Sequence, residues 1–193
     1  MRIVVALSCL MFAHSQASEE PRFFPAGSFS TNPRWEATMQ YWYAMHLTGL
    51  KESPLCCGAI GRPTTVRFTW LRAFDHPVSI RLNRSAEGKW LVRTKITNGA
   101  GGGESGHLIT DVTRELSEAD AAKILSKVGR DSEYWTMPWV ADYSGGKDGA
   151  HWVIEVLDGK NYHFVDRWSA DGLIRDLGMT FMALSGQQFD PIY

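Results

Sequence analysis

The sequence predicts a single α+β domain, an antiparallel sheet of about six strands with about three helices packed on its apolar face. Three observations lead there. Six segments alternate apolar and polar residues with the period of a half-buried strand. Short turn signals separate most of the neighbouring segments at hairpin distances. Three further stretches carry apolar residues at helical spacing between recognisable caps. The predicted order is helix, four strands, helix, two strands, helix.

The first seventeen residues read as a secretory signal peptide and are set apart from the domain, residues 18–193. Arg2 supplies a minimal positive start, Ile3 to Ala13 an apolar core too short to span a bilayer, and Ser15-Gln16-Ala17 a small-x-small cleavage site. Cys9 falls inside that apolar core, behind a poor approach sequence, which argues against a lipid anchor. No later apolar run has the length of a transmembrane helix. The expected setting is therefore the periplasm or the exterior.

Residues 18–31 mix Pro, Gly and Ser with three phenylalanines, an extended arm tied down if the rings find the core. Asn32 is a good N-cap and Pro33 suits the first helical position; Trp35, Met39, Trp42 and His46 then recur at helical spacing until Gly49. His46 is expected at the helix edge with its ring reaching solvent. Leu50 to Pro63 turns to Pro, Gly and Cys and marks a long loop.

Val66, Phe68 and Trp70, then Val78, Ile80 and Leu82, then Trp90, Val92, Thr94 and Ile96 alternate with polar or basic residues, as in an antiparallel meander. Asn98 to Gly106 is glycine-rich, but it leads into another alternating segment and lacks the Lys-Ser/Thr of a nucleotide loop, so a mobile loop or wide hairpin is expected. Ser117 caps the next helix, with Ala121, Ile124, Leu125 and Val128 as its stripe. Tyr134 to Trp139 is an unusual connection. Pro138 discourages helix and central strand, while the flanking rings are expensive to expose. Ser169 is placed to cap a last helix through Leu173, Leu177, Phe181 and Leu184 to Gly186.

The stretch His151 to Ser169 folds as a hairpin about Asp158-Gly159. Its register decides the chemistry, since a one-residue slip sends every side chain to the other face. A three-residue loop with Gly159 left-handed sets Trp152, Ile154 and Val156 beside Tyr162 and Phe164, and gathers His151, Glu155, His163 and Arg167 opposite. A two-residue Asp158-Gly159 turn pairs Glu155 with Tyr162 and Ile154 with His163, and scatters the cluster. The three-residue loop is preferred because it alone collects the large apolar side chains on one side.

A net charge of -1 gives no global pull towards nucleic acid or membrane, so a charged partner would have to meet a local patch. Eight tryptophans is a high count: they fill a core, or some form a stacking surface for sugars or a protein partner. Outside the signal peptide only Cys56 and Cys57 remain. A vicinal disulfide, two buried thiols and intermolecular pairing all stay open, with an oxidising compartment favouring the first and third.

The segments FTWLRAF at 68–74, His76-Pro77, DGAHWVIE at 148–155 and YHFVDRWS at 162–169 resemble those of a group of exported bacterial proteins without an assigned activity. The resemblance covers the chain from Thr65 to Gly186. It implies a bacterial envelope setting and one compact domain, and it carries no catalytic signature.

Two functional readings follow. In the first, an exported binding protein recognises a protein or glycan of the envelope, or acts as an inhibitor or immunity partner. It would use the basic face of Arg67, Arg81, Arg93 and Lys95, the aromatic segment with Trp135 and Trp139, and Arg167. That basic face is otherwise an ordinary solvated sheet surface. In the second, His151, Glu155 and His163 form a hydrolytic site, holding zinc or a non-haem metal, or working metal-free as acid and base. The sequence names no cofactor.

Overall fold

The computed structural model describes residues 21–57, 63–141 and 148–193; the signal peptide expected at the N-terminus lies outside them. Helix α1 spans Pro33–Gly49, followed by strands β1 (Thr65–Arg72), β2 (Val78–Arg84), β3 (Trp90–Thr97) and β4 (Leu108–Leu116). Helix α2 (Glu118–Leu125), a single 3₁₀ turn at Glu133–Thr136, strands β5 (Ala150–Asp158) and β6 (Asn161–Trp168), and helix α3 (Gly172–Ser185) complete the order. The six strands form one antiparallel sheet in the order β4-β3-β2-β1-β5-β6. The α+β class and the sequence of elements are those predicted.

The sheet is covered on both faces. On one, Phe68, Trp70, Ile80, Val92, Trp152 and Ile154 pack beneath α2 and α3. Helix α3 lies close to the strands because residue 178 is glycine: a Cβ there would stand 2.5 Å from the Trp152 ring. On the other, Phe23 and Phe24 of the arm and Met39, Tyr43 and Leu47 of α1 pack on Leu71, Val153 and Phe164. The helices are thus divided between the faces, whereas the sequence pattern placed all three on one. Central strands β1 and β5 are accordingly buried almost throughout.

The helix signals are honoured unevenly. Asn32 caps α1 as predicted, its side chain accepting from the backbone of Arg34 and Trp35, and Ser117 caps α2 by accepting from Asp120. The cap of α3 is Asp171; Ser169 sits just before it with a positive φ of 48°. His46 is fully buried rather than reaching solvent from the helix edge. The glycine-rich segment is a packed turn, with Gly101 and Gly102 donating to the Asp75 and Ala73 carbonyls. A Cβ on Gly101 would collide with the backbone of Arg72, so these glycines serve close approach rather than mobility.

Candidate functional site

The hairpin register overturns the predicted cluster. Asp158 pairs with Asn161, leaving Gly159 and Lys160 as a two-residue turn with Gly159 at φ 61°. Neither turn read from the sequence is the observed one. Val156 pairs with His163 and Glu155 with Phe164, so His163 shares its face with Trp152, Ile154 and Val156. His151 and Glu155 point to the opposite face. The physical reason is the cover on both sides: Phe164 is buried and Tyr162 half-buried against the cluster of α1 and the arm, while Trp152 and Ile154 are buried on the α3 side, so nothing forces the apolar residues together. His151, Glu155 and His163 therefore do not form one site. Among the described residues, no group of three or more His, Cys, Asp or Glu side chains gathers as a metal would require.

Each member has its own surroundings. Asp166 Oδ2 accepts from the Tyr43 hydroxyl at 2.6 Å, and Asp166 Oδ1 lies 3.0 Å from His151 Nδ1. A three-residue loop at Gly159 would have set Asp166 on the face away from His151; the observed register brings the two together. The His151 ring is enclosed by Trp42 and Trp168, with centroids 5.0 and 4.9 Å away. This is a buried polar network that joins α1 to β5 and β6.

Glu155 belongs to a second network with the basic residues. Arg67 donates to both Glu155 oxygens, at 2.6 and 2.8 Å, and Tyr162 donates to Glu155 Oε1 at 3.0 Å. Glu52 receives Arg67 at 3.4 Å, Arg81 at 3.0 Å and Lys95 at 3.0 Å. Burial alone would raise the Glu52 carboxyl, and Arg67, Arg81 and Lys95 overcome it to hold the group below its ordinary range. Arg93 forms a bidentate pair with Asp111 at 2.6 and 2.7 Å. The four basic residues are thus taken up by acids of the same chain, three of them by Glu52 in the loop that follows α1. Because Glu52, Glu155 and Asp111 occupy them, they are not an open platform for an anion, and the sequence pattern could not show which carboxylates would fold over them.

His163 holds the aromatic segment. Its Nδ1 accepts the Trp139 indole N–H at 3.1 Å and its Nε2 lies 3.1 Å from the Met137 carbonyl, which as a donor it can serve. Arg167 donates to the carbonyls of Pro138 at 2.9 Å and Asp166 at 2.7 Å, so it is a strap on this segment. Trp135 is turned inward, its indole N–H bonded to the Val128 carbonyl. Trp139 runs along the outer edge of β6, accepts from the Asp166 N–H, and remains 37% exposed.

Trp139 faces a cleft of about 480 Å³ that it lines together with Ser28, Ser30, Thr31, Trp35 and Val140. Trp35, on the first turn of α1, is 51% exposed. The arm residues of the lining are held by Glu36, whose carboxylate accepts from the backbone N–H groups of Gly27, Phe29 and Ser30 at 2.8, 2.9 and 3.0 Å. None of the described residues lining the cleft carries a charge. The contribution of Trp35 was not legible, since its helical spacing marked it as a core residue.

Among the described residues, the fold and these contacts define a single-sheet α+β protein with both sheet faces covered, buried polar networks around Asp166 and around Glu52 and Glu155, and an open cleft with two exposed indoles. The chain matches no protein-family model, and a search of curated proteins finds no significant relative.

Proposed function

We propose that this is an exported, non-catalytic binding protein of the bacterial cell envelope, and that its ligand is a neutral glycan held between Trp35 and Trp139. The observation that carries the reading is the pairing of two exposed indoles with the hydroxyl side chains of Ser30 and Thr31 in an uncharged cleft. The apolar C–H face of a sugar ring suits the electron-rich face of an indole, and its hydroxyls suit serine and threonine. Pre-ordering adds to the case. Glu36 fixes one wall and His163 the other, so little conformational freedom is left to lose on binding. A hydrolytic role for His151 has less support, because its ring is enclosed by aromatic side chains and bonded to Asp166.

The test is titration of the mature protein with β-linked N-acetylhexosamine oligosaccharides, read by tryptophan fluorescence. Saturable binding that is lost in both Trp35→Ala and Trp139→Ala supports the proposal. Binding unaffected by either substitution, or no binding to any neutral oligosaccharide, overturns it.

A further inference from the structure

Among the described residues, strand β4 ends the sheet, paired with β3 alone, and its outward backbone N–H and C=O groups form an open edge. It is a nine-residue strand, and most of it is exposed. Ile109 and Val112 are 56% and 38% exposed. At the other end of the sheet, the corresponding edge of β6 is covered by the Trp139-Val140 segment, with a bridge between Val140 and Asp166. Among the described residues, one edge is shielded and the other is not.

Natural sheets protect an open edge with unpaired charge. Strand β4 carries three charged residues, and each is occupied within its own molecule. Asp111 is clasped by Arg93, Glu115 meets Lys89 at 2.7 Å, and Arg114 donates to the Leu184 carbonyl at the end of α3 at 3.0 Å. The strand edge is therefore close to neutral, with β-branched Thr110, Val112 and Thr113 among its residues.

We infer that β4 pairs antiparallel with β4 of a second copy of this chain, joining two six-stranded sheets about a two-fold axis at Val112. An isologous contact needs a self-complementary strand, and the side-chain order decides the register. With Val112 opposite its own copy, Asp111 faces Thr113 and Thr110 faces Arg114, so no like charges meet. Sliding by two residues one way sets Asp111 against Asp111; sliding the other way sets it against Glu115. The regular pairing runs over Thr110 to Arg114, because the ladder with β3 shifts beyond Thr110, leaving Ile109 without a partner.

Cysteine scanning of the exposed strand tests this in the mature protein, whose own two cysteines are joined as a Cys56–Cys57 disulfide. Val112→Cys is expected to form a covalent dimer under mild oxidation, at several-fold higher yield than Asp111→Cys or Thr113→Cys. Sedimentation of the unmodified protein should show a mass rising towards twice the monomer with concentration, and Val112→Lys should shift it back. Preferential crosslinking through residue 111 or 113 would overturn the register. A concentration-independent monomer mass with no crosslinking at 112 would overturn the dimer.

Discussion

Trp139 donates its indole N–H to Nδ1 of His163 at 3.1 Å, and this contact ties the exposed wall of the cleft to strand β6. The other ring nitrogen is engaged by the Met137 carbonyl, so one imidazole fixes both the backbone and the side chain of the connection. Each such bond contributes on the order of 1 kcal/mol. His163→Ala should lower stability by about 1–3 kcal/mol, measured by urea denaturation. It should also weaken glycan binding towards the level of Trp139→Ala. His163→Gln, which keeps a donor and an acceptor, should recover part of both losses. Full binding in the alanine variant would show that Trp139 is placed without this bond.

His46 predicts acid sensitivity. Burial pushes its imidazole down to about 4 in the folded protein, against roughly 6.5 when unfolded. Between those values the unfolded chain binds a proton that the folded chain does not, so stability falls as pH drops from about 6.5 towards 4. The difference amounts to about 3 kcal/mol. His163 acts in the same direction, since burial lowers it too. Replacing His46 with Leu should flatten, without abolishing, the slope of the urea midpoint against pH between 4 and 6.5. An unchanged slope would assign the acid response elsewhere.

The Arg67–Glu155 pair is sealed from solvent on both sides. Removing Glu155 leaves Arg67 only the longer Glu52 contact and the Ser53 carbonyl, and removing Arg67 leaves Glu155 only the Tyr162 hydroxyl; breaking such a buried pair typically costs about 3–5 kcal/mol. Glu155→Leu should therefore be strongly destabilising, and Arg67→Met likewise. The double variant should be much closer to the parent than the two single losses predict by addition, because no buried charge is left alone. A double-mutant cycle in denaturant measures this. Simple additivity would mean that water or a neighbouring acid compensates for the missing partner.

The contrast between what was and was not readable has a physical basis. The class, the order of elements and the caps at Asn32 and Ser117 follow from local periodicity and local hydrogen-bonding chemistry, which the chain carries segment by segment. The hairpin register depended on a non-local fact, that α1 and the arm cover the second face. Without it, an apolar face containing Tyr162 and Phe164 was the reasonable expectation, and His163 was drawn to the wrong side. The basic residues Arg67, Arg81 and Lys95 looked solvated for the same reason: Glu52 lies in a loop with no periodicity to place it. Trp139 was singled out because proline and exposed rings make poor connections, a signal that needs no tertiary knowledge.

The Tyr43–Asp166–His151 network offers a further measurement. Asp166 is fully buried and receives the Tyr43 hydroxyl at 2.6 Å from a helix on the other side of the interface. Tyr43→Phe keeps the ring, which packs against Phe24 and Phe29, and removes only the hydroxyl, which also lies 3.1 Å from His151 Nδ1. A buried carboxylate that loses one of its hydrogen bonds costs about 1–3 kcal/mol, whereas Tyr43→Ala adds a cavity and should cost about 3–5 kcal/mol. The gap between the two variants, taken from thermal melts in the same buffer, separates the polar contribution from the packing one. If Tyr43→Phe melted with the parent, α1 would be held by its rings alone, and the carboxylate would owe its place to His151 and its other contacts.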